Sequence, residues 1–286
     1  MAAWPSTAPT PLDFFRALVQ SDSGFPLLEA AVSLGQDEYP QLDVQQALAE
    51  VDQLLLRLQR RLPADAPAAY RLHMLNRYFF HELHFAGNVN DYYDPGNSYL
   101  SVVLQRRRGI PVSLAVLWLE LAQGIGLMAR GVGFPGHFMV KVNLPSAQVV
   151  IDPFSGDSLS REVLQARLEA WRSSRQAAPG PGPEPALGEY LQATPPREIL
   201  ARMLRNLKEI HRAQQDWRRL VAVEDRLLIL LPQAWDEYRD RGLAQAELGH
   251  YDEALQDLET YLERAGAGRD AQGIAGRMAE LRRGRN

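Results

Sequence analysis

Apolar positions recur at helical spacing along the first part of the chain. In LDVQQALAEVDQLLLRLQRRL, Val44, Leu48, Val51, Leu54, Leu55 and Leu58 fall on one helix face. The earlier run PLDFFRALV opens with proline and acid, as helices do, so residues 11–62 read as helical, with Pro63 as the stop. AAYRLHMLNRYFFHELHF predicts another amphipathic helix over 68–85, ended by Gly87. NVNDYYDPGNSYL concentrates Asn, Asp, Pro and Gly and predicts a loop. Asn97 or Ser98 can cap a helix that runs through YLSVVLQRRR to Gly109. IPVSLAVLWLELAQGIG is apolar on most faces, which predicts a buried helix at a domain centre, with Trp118 as packing. Pro111 suits its first turn, where a missing N–H costs little. The alternating runs ARGVGF, HFMVKVN and QVVIDPF predict strands, with a hairpin turn at 143–147. A central helix followed by antiparallel strands makes an α+β domain.

The stretch 173–196 is rich in Pro, Gly, Ser and Ala and reads as an extended, mobile linker. It separates residues 1–172 from an all-α region at 197–286. That region repeats: Trp217 and Tyr251 stand 34 residues apart, as do Pro232 and Gly266, and this is the tetratricopeptide (TPR) period. In the second copy Gly242, Gly249, Tyr251 and Ala254 occupy the small and aromatic packing positions. The first copy is degenerate, with Lys208 and Leu220 at small-residue positions, and an unrelated helical hairpin is the plainer alternative.

Composition narrows the chemistry. The chain has 286 residues and no cysteine, which excludes disulfides, zinc thiolates and a thiol nucleophile. A net charge of −4 argues against a general nucleic-acid binder, and Arg106, Arg107 and Arg108 read as a solvated helix end. No apolar run reaches the roughly 18 residues that span a bilayer, and MAAWPSTAPTPLDFF lacks the pattern of a secretory signal. The expectation is a cytoplasmic protein with no membrane or nucleic-acid partner. No cofactor or metal is implied. His81 and His84 have a spacing a metal could use, but no third ligand is evident.

His137 follows Pro-Gly at the head of a strand, and Asp152 ends the next one. In an antiparallel pair these ends come level, and the carboxylate can fix the imidazole tautomer. A structural histidine bracing two strands is the alternative.

The segments NSYL, VLQRRRGIPVSLAVLWLELAQGIGL, GVGFPGHFMVKV and VIDPF resemble the SirB branch of transglutaminase-like proteins, which carries TPR repeats after its core. The resemblance implies a papain/transglutaminase-like core, in which a cysteine starts the central helix and His137 and Asp152 complete a triad. The family's Gly-x-Cys register falls on Gly109-Ile110-Pro111, and proline offers no nucleophilic atom. Ser113 lies two residues on, turned by about 200° on a helix, and reads as a hydroxyl bonded near the helix start.

The expected function is therefore a non-catalytic transglutaminase-fold protein. It would bind a protein or peptide through the TPR region and a cleft lined by Asn97, Pro111, Phe134, Pro135 and Gly136. The competing readings are a Ser113–His137–Asp152 hydrolase or acyl-transferase acting on an amide or ester, and a helical scaffold with a vestigial cleft.

Overall fold

The predicted helical stretch 11–62 is three helices, the first and third opened by side-chain caps. Helix α1 (Pro11–Leu18) opens with a capping box: the Thr10 hydroxyl accepts the Asp13 N–H at 3.1 Å, and the Asp13 carboxylate accepts the Thr10 N–H at 3.2 Å. Helix α2 (Leu27–Ser33) follows, and α3 (Val44–Gln59) is capped by Asp43, which accepts from the Gln46 N–H at 3.1 Å. The computed structural model describes residues 9–21, 24–174, 185–265 and 270–284. They fall into two units, one of Ser23–Leu200 and one of Ala201–Asn286 joined by Met1–Asp22. Helix α1 thus groups with the C-terminal helices, where it packs on α10 (Trp217–Leu230) with Phe15 fully buried, rather than with residues 1–172.

In the Ser23–Leu200 unit, the expected helix over 68–85 is shorter. Helix α4 (Ala68–Asn76) passes into a π-helical turn, Arg77–Glu82, closed by a bond from the Leu83 N–H to the Tyr78 carbonyl at 2.9 Å. His84 is left-handed at φ 59°, which swings Phe85 back onto Phe79 in a stack with 4.4 Å between centroids. The next helix also departs from expectation. Helix α5 (Leu100–Arg106) is capped at Tyr99, while Asn97 lies in a 3-10 turn, Pro95–Asn97. Arg107 breaks the helix at φ 57°, because residues 108 and 109 are needed as a strand. Strands β1 (Ala86–Gly87) and β2 (Arg108–Gly109) pair in parallel.

Helix α6 (Pro111–Gly124) is the hub, packing against α2, α3, α4, α5 and two strands of the larger sheet. Its all-round apolar surface is explained by that position, and the one polar atom of Trp118 is satisfied by Asn76 Oδ1 at 3.1 Å. The sheet runs in the order β3 (Ala129–Val132), β4 (Met139–Asn143), β5 (Gln148–Ile151), β6 (Ser158–Leu159), all antiparallel. Strand β4 is buried on both faces: Met139 joins a cluster with Phe134, Leu164 and Leu168, and Val140 and Val142 are fully buried as well. Leu164 and Leu168 belong to α7 (Arg161–Ser174).

Part of the expected linker is described, and that part is ordered. Residues 175–184 lie outside the described residues, but 185–196 are tied to the sheet. Helix α8 (Leu187–Tyr190) buries Leu187 in the Phe134 cluster. Lys141 Nζ donates to the Leu191 carbonyl at 2.6 Å, the Thr194 N–H donates to the Gly131 carbonyl at 2.9 Å, and the Thr194 hydroxyl accepts the Gly133 N–H at 2.7 Å. The open edge of β3 is thereby covered.

Helix α9 (Pro196–Ala213) leads into α10, α11 (Trp235–Glu247), α12 (Tyr251–Ala265) and α13 (Ala271–Gly284). Gly242 is a true packing glycine: a Cβ there would lie 3.0 Å from Leu258 and 3.1 Å from the Ala254 carbonyl, so α11 and α12 approach closely. Ala254 is fully buried in the same contact. Trp217 is half-buried at the start of α10. Two expected packing residues act otherwise. Gly249 meets nothing and instead supplies the turn between α11 and α12 at φ +79°. Tyr251 is 37% exposed and fills no gap between helices. Gly266 lies outside the described residues.

Candidate functional site

Hairpin register places the first pair of side chains. Strand β4 pairs with β5 so that Val140 faces Ile151 and Asn143 faces Gln148. The Pro135-Gly136 turn before β4, with Gly136 at φ +70°, is closed by a bond from the His137 N–H to the Phe134 carbonyl at 3.0 Å. His137 and Asp152 thereby come together, with Nε2 2.7 Å from Oδ1. The Phe154 N–H also donates to Oδ1, at 3.0 Å.

A third partner was not visible in the sequence. Arg167 of α7 places Nη1 3.0 Å from Asp152 Oδ2. The Asp152 side chain is only 5% exposed, against 24% for His137. Burial alone would raise the Asp152 pKa, but the bond and charge of His137, then Arg167 and the Phe154 N–H, outweigh it and hold the carboxyl below its ordinary value. An ionised Asp152 is acceptor-only, so Nε2 is the ring nitrogen that donates to it.

Strands β1 and β2 link this pair to the head of α6. The Asn88 N–H donates to the Gly109 carbonyl at 3.1 Å, and the Gly87 N–H donates to the Phe154 carbonyl at 2.8 Å. Gly87 is required because a Cβ there would stand 2.3 Å from the Phe154 ring. Pro111 occupies the first position of α6 and is buried.

Ser113 is fully buried. Its hydroxyl lies 2.6 Å from the Asn97 carbonyl, to which it donates, and accepts the Ile110 N–H at 3.1 Å. Among the described residues no hydrogen bond joins it to His137. Of the expected cleft lining, the structure exposes Gly136 and half-exposes Pro135. Phe134 is a core residue at 1% exposure, and Asn97, also at 1%, is a buried bracket whose Nδ2 donates to the carbonyls of Asp91 and Tyr92 at 2.7 and 3.2 Å.

His81 and His84 do not share a helix face, because the helix ends between them and His84 is left-handed. One group of carboxylates with metal-like spacing does occur among the described residues: Glu224, Glu237 and Asp240. The ammonium of Lys208 already stands among them, 3.0 Å from Glu224 and 2.7 Å from Asp240, and bonded to Glu237. Lys208 thus takes the place of a small residue in the first repeat by carrying its own counterions. Among the described residues no helix is long and apolar enough to cross a membrane.

Residues 45–205 match the transglutaminase-like superfamily, and residues 207–279 match a tetratricopeptide repeat family. Relatives are similar along most of the chain. A UPF0162 protein of Xylella fastidiosa strain Temecula1 is 36% identical over 262 residues, covering 91% of each chain. A UPF0162 protein of Pseudomonas aeruginosa is 35% identical over 191 residues, 65% of each chain. The UPF0162 protein YchA of Escherichia coli K12 is 28% identical over 231 residues, 80% of this chain and 79% of its own. No solved structure matches. With a transglutaminase-like domain followed by TPR-type helices, and with relatives of this identity along nine-tenths of its length, the chain belongs to the UPF0162 family of transglutaminase-like proteins.

Proposed function

We propose that this protein is a non-catalytic, SirB-type transglutaminase-fold module that binds protein or peptide segments. Its TPR-type helices supply one interaction surface, as stacked repeats do. The His137–Asp152–Arg167 site supplies the other by orienting a bound group rather than attacking it.

One observation carries the reading. The hydroxyl nearest the expected nucleophile position is fully buried and committed to the Asn97 carbonyl at 2.6 Å. A serine attacks only when a base draws off its proton, and this proton already has an acceptor. Pro111, in the register where the family's thiol stands, has no proton to give.

The test is chemical. The full chain is treated with a fluorophosphonate probe and with activated esters, and adducts are mapped by mass spectrometry. The expected result is no adduct on Ser113 and turnover equal to that of His137→Ala. An adduct on Ser113 that vanishes in Ser113→Ala and in His137→Ala would sink the reading in favour of a serine hydrolase.

A further inference from the structure

A cavity of about 470 Å³ lies between the turn at 38–43, the first turns of α3 and one face of α5. It falls wholly within the Ser23–Leu200 unit and shares no lining residue with the His137 site. Its volume is in the range of small-molecule sites.

Fixed contacts hold its walls in place. The turn is closed by bonds from the Tyr39 N–H to the Gly35 carbonyl and from the Leu42 N–H to the Tyr39 carbonyl, both at 2.8 Å. Tyr39 meets Tyr99 edge to face at 5.6 Å between centroids, which seats the turn on the start of α5. Gly35 allows that approach, since a Cβ there would stand 3.1 Å from Leu42 and 3.7 Å from Ser101. Asp43 Oδ1 caps α3, and Glu50 Oε1 ties α3 to Arg107, just past α5, at 3.1 Å. A concavity braced on both sides needs little reordering to take a ligand.

The lining is of two kinds. Its buried part is apolar: Ala47, Val102 and Leu104 are buried and Leu42 is half-buried. Its outer part is polar and uncommitted. Among the described residues, the side chains of Gln41, Gln46, Ser101 and Gln105 make no hydrogen bond, and Asp43 Oδ2 and Glu50 Oε2 have no partner. The three amides and the hydroxyl both donate and accept, and the two carboxylate oxygens add acceptors.

This set disfavours charged ligands of either sign. An anion would meet Glu38, Asp43 and Glu50. The arginines at the end of α5 do not offset them, because Arg106 is engaged by Asp94, Arg107 by Glu50, and Arg108 by the His84 carbonyl. An ammonium ion carries no acceptor for the amide N–H groups. Hydroxyl groups on a carbon ring both donate and accept, and the C–H face of such a ring suits an apolar floor.

We propose that this cavity binds a neutral mono- or disaccharide. Its hydroxyls bond to Gln41, Gln46, Gln105 and Ser101, and one ring face lies on Val102 and Leu104. The proposal goes beyond the protein-binding reading above and does not depend on His137.

Saturation-transfer NMR on the full chain tests this with glucose, galactose, mannose, N-acetylglucosamine, maltose and cellobiose, each at about 10 mM, a level that detects millimolar affinity. Putrescine serves as the cationic comparison. At least one sugar is expected to receive saturation, most strongly at its ring C–H protons. Gln46→Ala/Gln105→Ala, at two exposed positions, is expected to weaken that binding about tenfold with unchanged melting temperature. Gln46→Trp, which adds bulk to the lining, is expected to abolish it. Saturation of none of the six sugars, or transfer undiminished in either variant, would overturn the proposal. Binding of putrescine in place of every sugar, lost in Asp43→Asn/Glu50→Gln, would overturn it too and make the cavity a cation site.

Discussion

Arg167 and Asp152, from α7 and the end of β5, form an ion pair at 3.0 Å on the oxygen that His137 leaves open. The carboxylate is thus bound on both sides before any ligand arrives. This gives the pair a stability role that can be measured apart from function. Arg167→Ala leaves a nearly buried carboxylate with fewer donors and is expected to cost about 1–2 kcal/mol at neutral pH, discounted because the guanidinium is partly exposed. The folded pKa of Asp152 is depressed, so its contribution is present above the unfolded value near 3.8 and is lost as pH falls through the lower folded value. Urea unfolding at pH 7 and at pH 3 reads this: the wild-type advantage should shrink in acid.

Ser113→Ala removes a donor to the Asn97 carbonyl and an acceptor for the Ile110 N–H. The expected cost is about 1–2 kcal/mol in urea unfolding. The loss should come with local loosening of the 88–97 loop, seen as faster amide exchange at Asp91 and Tyr92. A neutral substitution would show that the hydroxyl does not hold the Asn97 carbonyl in place.

Glu224 is fully buried, and burial pushes its pKa up to about 8 despite the nearby Lys208. The ammonium lies 3.0 Å from Oε1 but is not aligned as a hydrogen bond, while Glu237 and Asp240 are held below their ordinary values by their hydrogen bonds to it. At neutral pH the lysine therefore pairs with Glu237 and Asp240, and Glu224 keeps its proton. With a folded pKa above the unfolded 4.5, the folded chain holds a proton the unfolded chain releases, so stability falls as pH rises toward 8. Glu224→Gln should remove this slope. The melting temperature of the variant should gain on the wild type between about pH 5 and 8 and then run parallel. A gap independent of pH would contradict the assignment.

Gly87→Ala forces the Phe154 ring aside, since the added carbon would sit 2.3 Å from it. The expected cost is about 1–3 kcal/mol, as for other overpacked sites. A chemical-shift map should show the disturbance at Phe154 and Tyr92, and not at Lys208 in the other unit.

Much of this architecture could be read from local chemistry. The apolar run around Trp118 gave a buried helix because no face of it suits water, and alternation gave β3, β4 and β5. Gly242 and Ala254 were legible because a fixed period requires small side chains where two helices touch. What failed to read was non-local. Arg167 is one arginine among many on a half-polar helix, and nothing nearby signals that it reaches Asp152. Lys208 looked like a defect in a repeat until the carboxylates of α10 and α11 closed around it. The 185–196 stretch looked like a linker by composition, yet its backbone bonds cover the edge of β3.

By itself the sequence determined the transglutaminase-like core with TPR repeats, the absence of a thiol and the proline at the head of α6, since these are questions of which residues the chain contains and in what order. Tertiary structure alone decided where the Ser113 proton goes, which oxygen of Asp152 each partner takes, and which tyrosines stay in water. Those outcomes depend on distances between segments far apart in the chain, and hydrogen bonds and ion pairs are strong only over a few ångströms.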